Sequence, residues 1–116
     1  MIQIYNLKRK VYDDYIKQAS NMSDIDEETL QRRLTALILN AQKTKKIYGD
    51  KYLYKFCNFN MIANENTKEI EMIYWDSKNY VRIYASKKLN HKLKETYSQL
   101  GLNYYGNQIR IKQLVL

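Results

Sequence analysis

The stretch Lys51–Ser86, KYLYKFCNFNMIANENTKEIEMIYWDSKNYVRIYAS, constrains the fold of this chain more than any other. β-Branched and aromatic residues recur along it, and it is interrupted by two turn-forming runs, Asn64-Glu65-Asn66-Thr67 and Asp76-Ser77-Lys78-Asn79. The pattern predicts three consecutive antiparallel strands. Pairing Trp75 with Tyr80 sets Tyr74 opposite Val81, Met72 opposite Ile83 and Ile70 opposite Ala85. Placing Met61 opposite Ile70, Phe59 opposite Met72 and Cys57 opposite Tyr74 extends one apolar face, which is the expected core. The other face then carries Phe56, Asn58, Asn60, Glu71, Ile73, Trp75, Tyr80, Arg82 and Tyr84. Such a face is either open, with rings and arginine available to a partner, or covered by a helix as a second packed layer.

The flanking segments read as helices. Leu7, Val11 and Tyr15 repeat every four residues, predicting a helix over 7–19, with a short edge strand before it at 2–5. Asn21–Asp24 is a turn, and the spacings Ser23 to Asp26 and Asp24 to Glu27 fit capping boxes. Leu30, Leu34, Leu37, Ile38 and Ala41 then form a wide apolar stripe. Lys43, Lys45 and Lys46 suit the negative end of that helix, and Gly49 reads as its stop. Ser86 is a candidate N-cap for a third helix marked by Leu89, Leu93, Tyr97 and Leu100. Gly101 and Leu102 follow in the spacing of a glycine-terminated helix end. Tyr105-Gly106-Asn107 reads as a turn, and Gln108–Val115 as a final strand carrying Arg110 and Lys112 on one face. The expected fold class is α+β, a single domain over residues 1–116. Its elements are two N-terminal helices, a three-stranded antiparallel meander, a third helix and a C-terminal strand joining the sheet.

Charge narrows the function classes. The net charge is +8, and it is uneven: residues 1–50 carry nine Lys/Arg against seven Asp/Glu, whereas residues 51–116 carry eleven against five. The excess of +6 in the second half points to an anionic partner, nucleic acid or an acidic or nucleic-acid-bound protein complex. No apolar run reaches the length of a membrane span, and the first residues lack a signal-peptide pattern, so no membrane partner and a cytoplasmic location are expected. With one Cys and one His, no ordinary zinc site can be assembled, and no cofactor or metal is expected. The acids Asp26, Glu27 and Glu28 are explained by helix capping. The three glycines form no phosphate-binding loop, Cys57 and His91 are expected on opposite environments, and Asp76-Ser77-Lys78 is a hairpin turn. Enzymatic activity is not expected.

The best candidate surface combines Trp75, Tyr80 and Tyr84 as stacking rings with Arg82, Lys87, Lys88, Lys92 and Lys94 as backbone contacts, with Arg110 and Lys112 on the final strand. The expected function is a small basic non-enzymatic binding protein of a phage or other mobile element, contacting nucleic acid or a nucleic-acid-processing complex. The alternative is a protein-binding inhibitor of a host or defence complex, comparable to anti-CRISPR proteins, whose aromatic face supplies the anchoring residues. The order of elements (a short strand, two helices, antiparallel strands, a helix) is similar to that of RelE-type ribosome-dependent RNases. That resemblance rests on topology alone: the sequence motifs of the family around the sheet do not match here. It implies a toxin using Arg, Lys and Tyr side chains without a metal.

Overall fold

The computed structural model describes residues 2–18, 25–77, 83 and 85–106. Among these residues it is an α+β arrangement of a five-stranded mixed sheet with three helices. The chain order is β1 (Asn6–Leu7), α1 (Arg9–Gln18), α2 (Glu27–Leu39), β2 (Gln42–Tyr48), β3 (Lys51–Phe56), β4 (Phe59–Asn64), β5 (Glu69–Trp75) and α3 (Lys87–Gln99). In the sheet the order is β1-β5-β4-β3-β2, with β1 parallel to β5 and every other neighbour antiparallel.

Four sequence expectations are corrected. The first strand is Asn6–Leu7, not residues 2–5, so Leu7 belongs to the sheet and α1 starts at Arg9. The second helix ends at Leu39, and the lysines taken for its C-terminal cations lie on β2. Gly49, at φ +55°, sits in the β2–β3 turn rather than at a helix end. The expected first strand of the meander is two strands, divided at Cys57-Asn58, where Cys57 itself takes φ +55°. Together β2 to β5 make a four-stranded antiparallel meander.

A further correction concerns register. Met61 faces Ile73, not Ile70, and Phe59 faces Trp75, not Met72. The cause is an irregularity between β4 and β5: Ile62 pairs with Met72 and the next residue, Ala63, pairs with Ile70, so Glu71 is the extra residue of a β-bulge. Because side chains alternate with period two, one extra residue lets both Ile70 and Ile73 face inward and turns Met72 and Tyr74 outward. The expected third strand of the meander falls mainly on residues 80–84, and the final strand on 108–115. Apart from Ile83, both lie outside the described residues.

One face of the sheet is the core. Tyr54, Met61 and Ile73 form one row across it, and Phe56, Phe59 and Trp75 form the next; all six are buried. α1 closes this face over β5 with Val11 and Tyr15, and α2 closes it with Leu30, Leu34 and Leu37. Asp26 caps α2, its carboxylate accepting from the Thr29 backbone N–H at 2.7 Å, and Glu27 and Glu28 occupy the first turn. Among the described residues, no helix is long and apolar enough to cross a membrane.

Candidate partner-binding surface

Trp75, the centre of the expected stacking surface, is in the core. It is 7% exposed, its ring centroid lies 4.9 Å from that of Phe59 and 6.2 Å from that of Tyr15, and it belongs to the cluster closed by α1 and α2. Its indole N–H finds no acceptor among the described residues. A ring held this way cannot stack on a base, so the expected stacking role of Trp75 is corrected, and of the two alternatives for this face the covered one holds for this residue. Tyr80, Arg82, Tyr84, Arg110 and Lys112 lie outside the described residues.

α3 is built as the sequence indicates. The Ser86 hydroxyl accepts from the Leu89 N–H at 3.2 Å. At the other end Gly101 takes φ +75°, its N–H bonds the Ser98 carbonyl, and the Leu102 N–H reaches back to Tyr97 at 2.8 Å. This double closure needs the left-handed conformation at Gly101 and buries Leu102. α3 runs antiparallel to α2: Arg32 donates to the Leu100 carbonyl at 2.7 Å, and the Asn40 amide donates to the Thr96 hydroxyl at 2.9 Å. These ties engage the last turns of α3. Its first turns carry Lys87, Lys88, His91 and Lys92, all exposed and at positions that share a helix face.

Four lysines on or beside the sheet behave differently. Glu71 accepts from Lys8 at 2.7 Å and lies 3.1 Å from Lys51, Lys43 meets Glu65 at 2.6 Å, and Lys55 meets Asp76 at 2.7 Å. The Lys8 hydrogen bond, aided by Lys51, holds the Glu71 carboxyl below its usual range against the opposing effect of burial. Hydrogen bonds from Lys55 and Asn60 lower that of Asp76. Lys87, Lys88 and Lys92 have no acidic partner among the described residues, and neither do Lys45 and Lys46 on the exposed strand β2. On α3 itself His91 Nε2 lies 3.0 Å from the Glu95 carboxylate.

Lys94 points away from that face. It is half-buried, with its ammonium 4.4 Å from the Tyr104 ring centroid and 5.2 Å from that of Tyr97. Burial, with a smaller contribution from the Arg33 guanidinium, keeps its pKa below the usual lysine value. Arg33 is itself buried, donating to the Tyr15 hydroxyl at 2.9 Å and the Gly106 carbonyl at 3.1 Å. Gly106 has φ +76°, and a Cβ there would come within 2.9 Å of the Tyr97 ring, so only glycine fits this turn. Burial also pushes the Tyr97 hydroxyl up to about 12. Beside these groups, between α2, α3 and the end of β3, lies a cavity of about 310 Å³. Ile83 and Ala85, expected on the third strand, line it.

The outward face of the sheet is the surface that sequence reasoning missed. Leu53, Ile62 and Met72 form a row across it, next to Lys55, Asn60 and Tyr74, and Met72 and Tyr74 are each 40% exposed. Three further sequence candidates, Lys87, Lys88 and Lys92, are brought together on α3, while Lys94 is separated from them by facing the cavity. Among the described residues no group of three His, Cys, Asp or Glu side chains is placed to hold a metal ion. No family model, curated protein or solved structure matches this chain.

Proposed function

We propose that this protein is a non-enzymatic binding module that engages nucleic acid through the phosphate backbone, using the first turns of α3. The observation that carries this reading is the placement of Lys87, Lys88 and Lys92. Cations in the first turn of a helix oppose its dipole, and the like-charged pair Lys88 and Lys92 stands at i,i+4, so each feature costs a few tenths of a kcal/mol in the free protein. None of the three lysines has an ion-pair partner among the described residues, and the one acid on this face, Glu95, is engaged by His91. A row of phosphates would relieve that cost. Lys45 and Lys46 offer a second, smaller set of contacts. With Trp75 buried, the mechanism is electrostatic capture, and base stacking by that ring is not part of it.

Fluorescence anisotropy with a labelled random-sequence RNA or DNA oligonucleotide tests the reading. Binding should be clear at low salt and fall steeply as salt rises. No binding to either nucleic acid at low salt removes it.

A second reading, a protein-binding inhibitor, is favoured by the exposed Met72 and Tyr74 on the outward face of β5, with the half-buried Ile62 beside them. An anchoring surface of this kind would tolerate moderate salt, and a Met72→Asp variant would lose the partner in a nuclease-treated pull-down. The RNase-toxin reading rests on Arg82 and Tyr84. It predicts growth arrest on expression, relieved by substituting either residue.

A further inference from the structure

The cavity beside α3 has a composition that the nucleic-acid reading does not use. Leu37, Phe56 and Leu93 supply apolar walls, and the polar lining is Asn90, Lys94 and Tyr97. Its volume of about 310 Å³ is at the lower end of sites that hold small molecules.

We propose that this cavity binds a small amphipathic carboxylate, its apolar body against Leu37, Phe56 and Leu93 and its head group paired with Lys94. Three observations support this. The Lys94 ammonium has no acidic partner among the described residues, although it is half-buried. It is held over the rings of Tyr97 and Tyr104, which fix its position without neutralising it. The Arg33 guanidinium disfavours the charge on Lys94, so a second positive group is felt at this end of the cavity. An anion bridging towards Lys94 would offset both desolvation and that repulsion, and the Asn90 amide offers a further donor. A carboxylate satisfies the cation, and an aliphatic or aromatic tail satisfies the walls. A purely apolar guest would leave Lys94 uncompensated. A polyanion would be too large for the space and is served by the other side of α3.

The probes are hexanoate and hexan-1-ol, titrated into the ¹⁵N-labelled full chain. Hexanoate should give saturable amide shifts at Phe56, Asn90, Leu93 and Lys94, and should bind about tenfold or more tightly than hexan-1-ol, as expected for a charge-assisted hydrogen bond. Lys94→Met should remove that preference, whereas Lys94→Arg should keep it. Absence of saturable shifts, equal affinity for acid and alcohol in the unaltered protein, or shifts centred on Lys87, Lys88 and Lys92 would overturn the proposal. The unaltered protein alone decides the second outcome, so the proposal remains testable if Lys94→Met does not fold. Nucleic-acid binding by the Lys87 face is measured separately and can fail without affecting this result.

Discussion

α2 and α3 are both thirteen residues long, and they treat their N-termini in opposite ways. α2 begins with an Asp cap followed by Glu27 and Glu28, so negative charge sits where the helix dipole favours it. α3 begins with a Ser cap followed by Lys87 and Lys88, with Lys92 one turn further on. Eight of the thirteen residues of α2 are buried, whereas the first turns of α3 expose their cations. The difference teaches where stability has been optimised and where it has not. α2 is a pillar of the core, with Leu30, Leu34 and Leu37 fully or almost fully enclosed. α3 is anchored by Leu93, Tyr97, Leu100 and Leu102, and its first turns carry lysines that have no ion-pair partner among the described residues.

The largest effect should come from the pillar. Leu34→Ala removes a fully buried side chain and should cost about 2–5 kcal/mol in chemical denaturation. Leu89→Ala, on the partly buried start of α3, should cost clearly less; equal losses would break the contrast. Next, replacing Lys87, Lys88 and Lys92 together by Gln should weaken oligonucleotide binding more than tenfold, a change of over about 1.4 kcal/mol. If all three contact duplex phosphates, the slope of log affinity against log salt should shrink by about 2.7. The same variant should melt no lower than the parent, because it relieves the first-turn repulsion. Asp26→Ala should then lower stability by about 1 kcal/mol through loss of the α2 cap.

The smallest effect concerns the sheet, where Lys8, Lys43, Lys51 and Lys55 do have acidic partners. Glu71 titrates below its usual range in the folded protein because Lys8 and Lys51 bind its ionised form. Its stabilisation is therefore complete above the carboxylate's unfolded value of about 4.3 and is lost as pH falls through the lower folded value. A Glu71→Gln variant should accordingly show a shallower loss of stability in acid, read from denaturant midpoints across that pH window.

How much of this was legible in the sequence depended on whether local chemistry was unambiguous. α3 could be read end to end because Ser86, the Leu89-Leu93-Tyr97-Leu100 repeat, Gly101 and Leu102 each have one strong structural meaning. α2 could be read at its start and not at its end: Lys43, Lys45 and Lys46 suit a helix C-terminus as well as an edge strand, and only pairing with β3 decides between them. The face of β5 was misread because Glu71 looks like any other polar residue in an alternating run. The bulge it forms depends on the partner strand, so nothing within Ile70–Trp75 announces it. Once that residue is taken out of the alternation, Ile73 and Trp75 fall inward with Met61 and Phe59.

The lysines of α3 matter most if the aromatic side of the sheet is unavailable, and Trp75 reports on that directly because it is the only tryptophan in the chain. Acrylamide and iodide quenching of its emission is the measurement. A blue-shifted band that resists both quenchers until denaturant unfolds the protein is the result expected of a ring packed between Phe59 and Tyr15. A red-shifted, readily quenched band in the native protein would contradict it, and would return the open aromatic face to the centre of the protein's function.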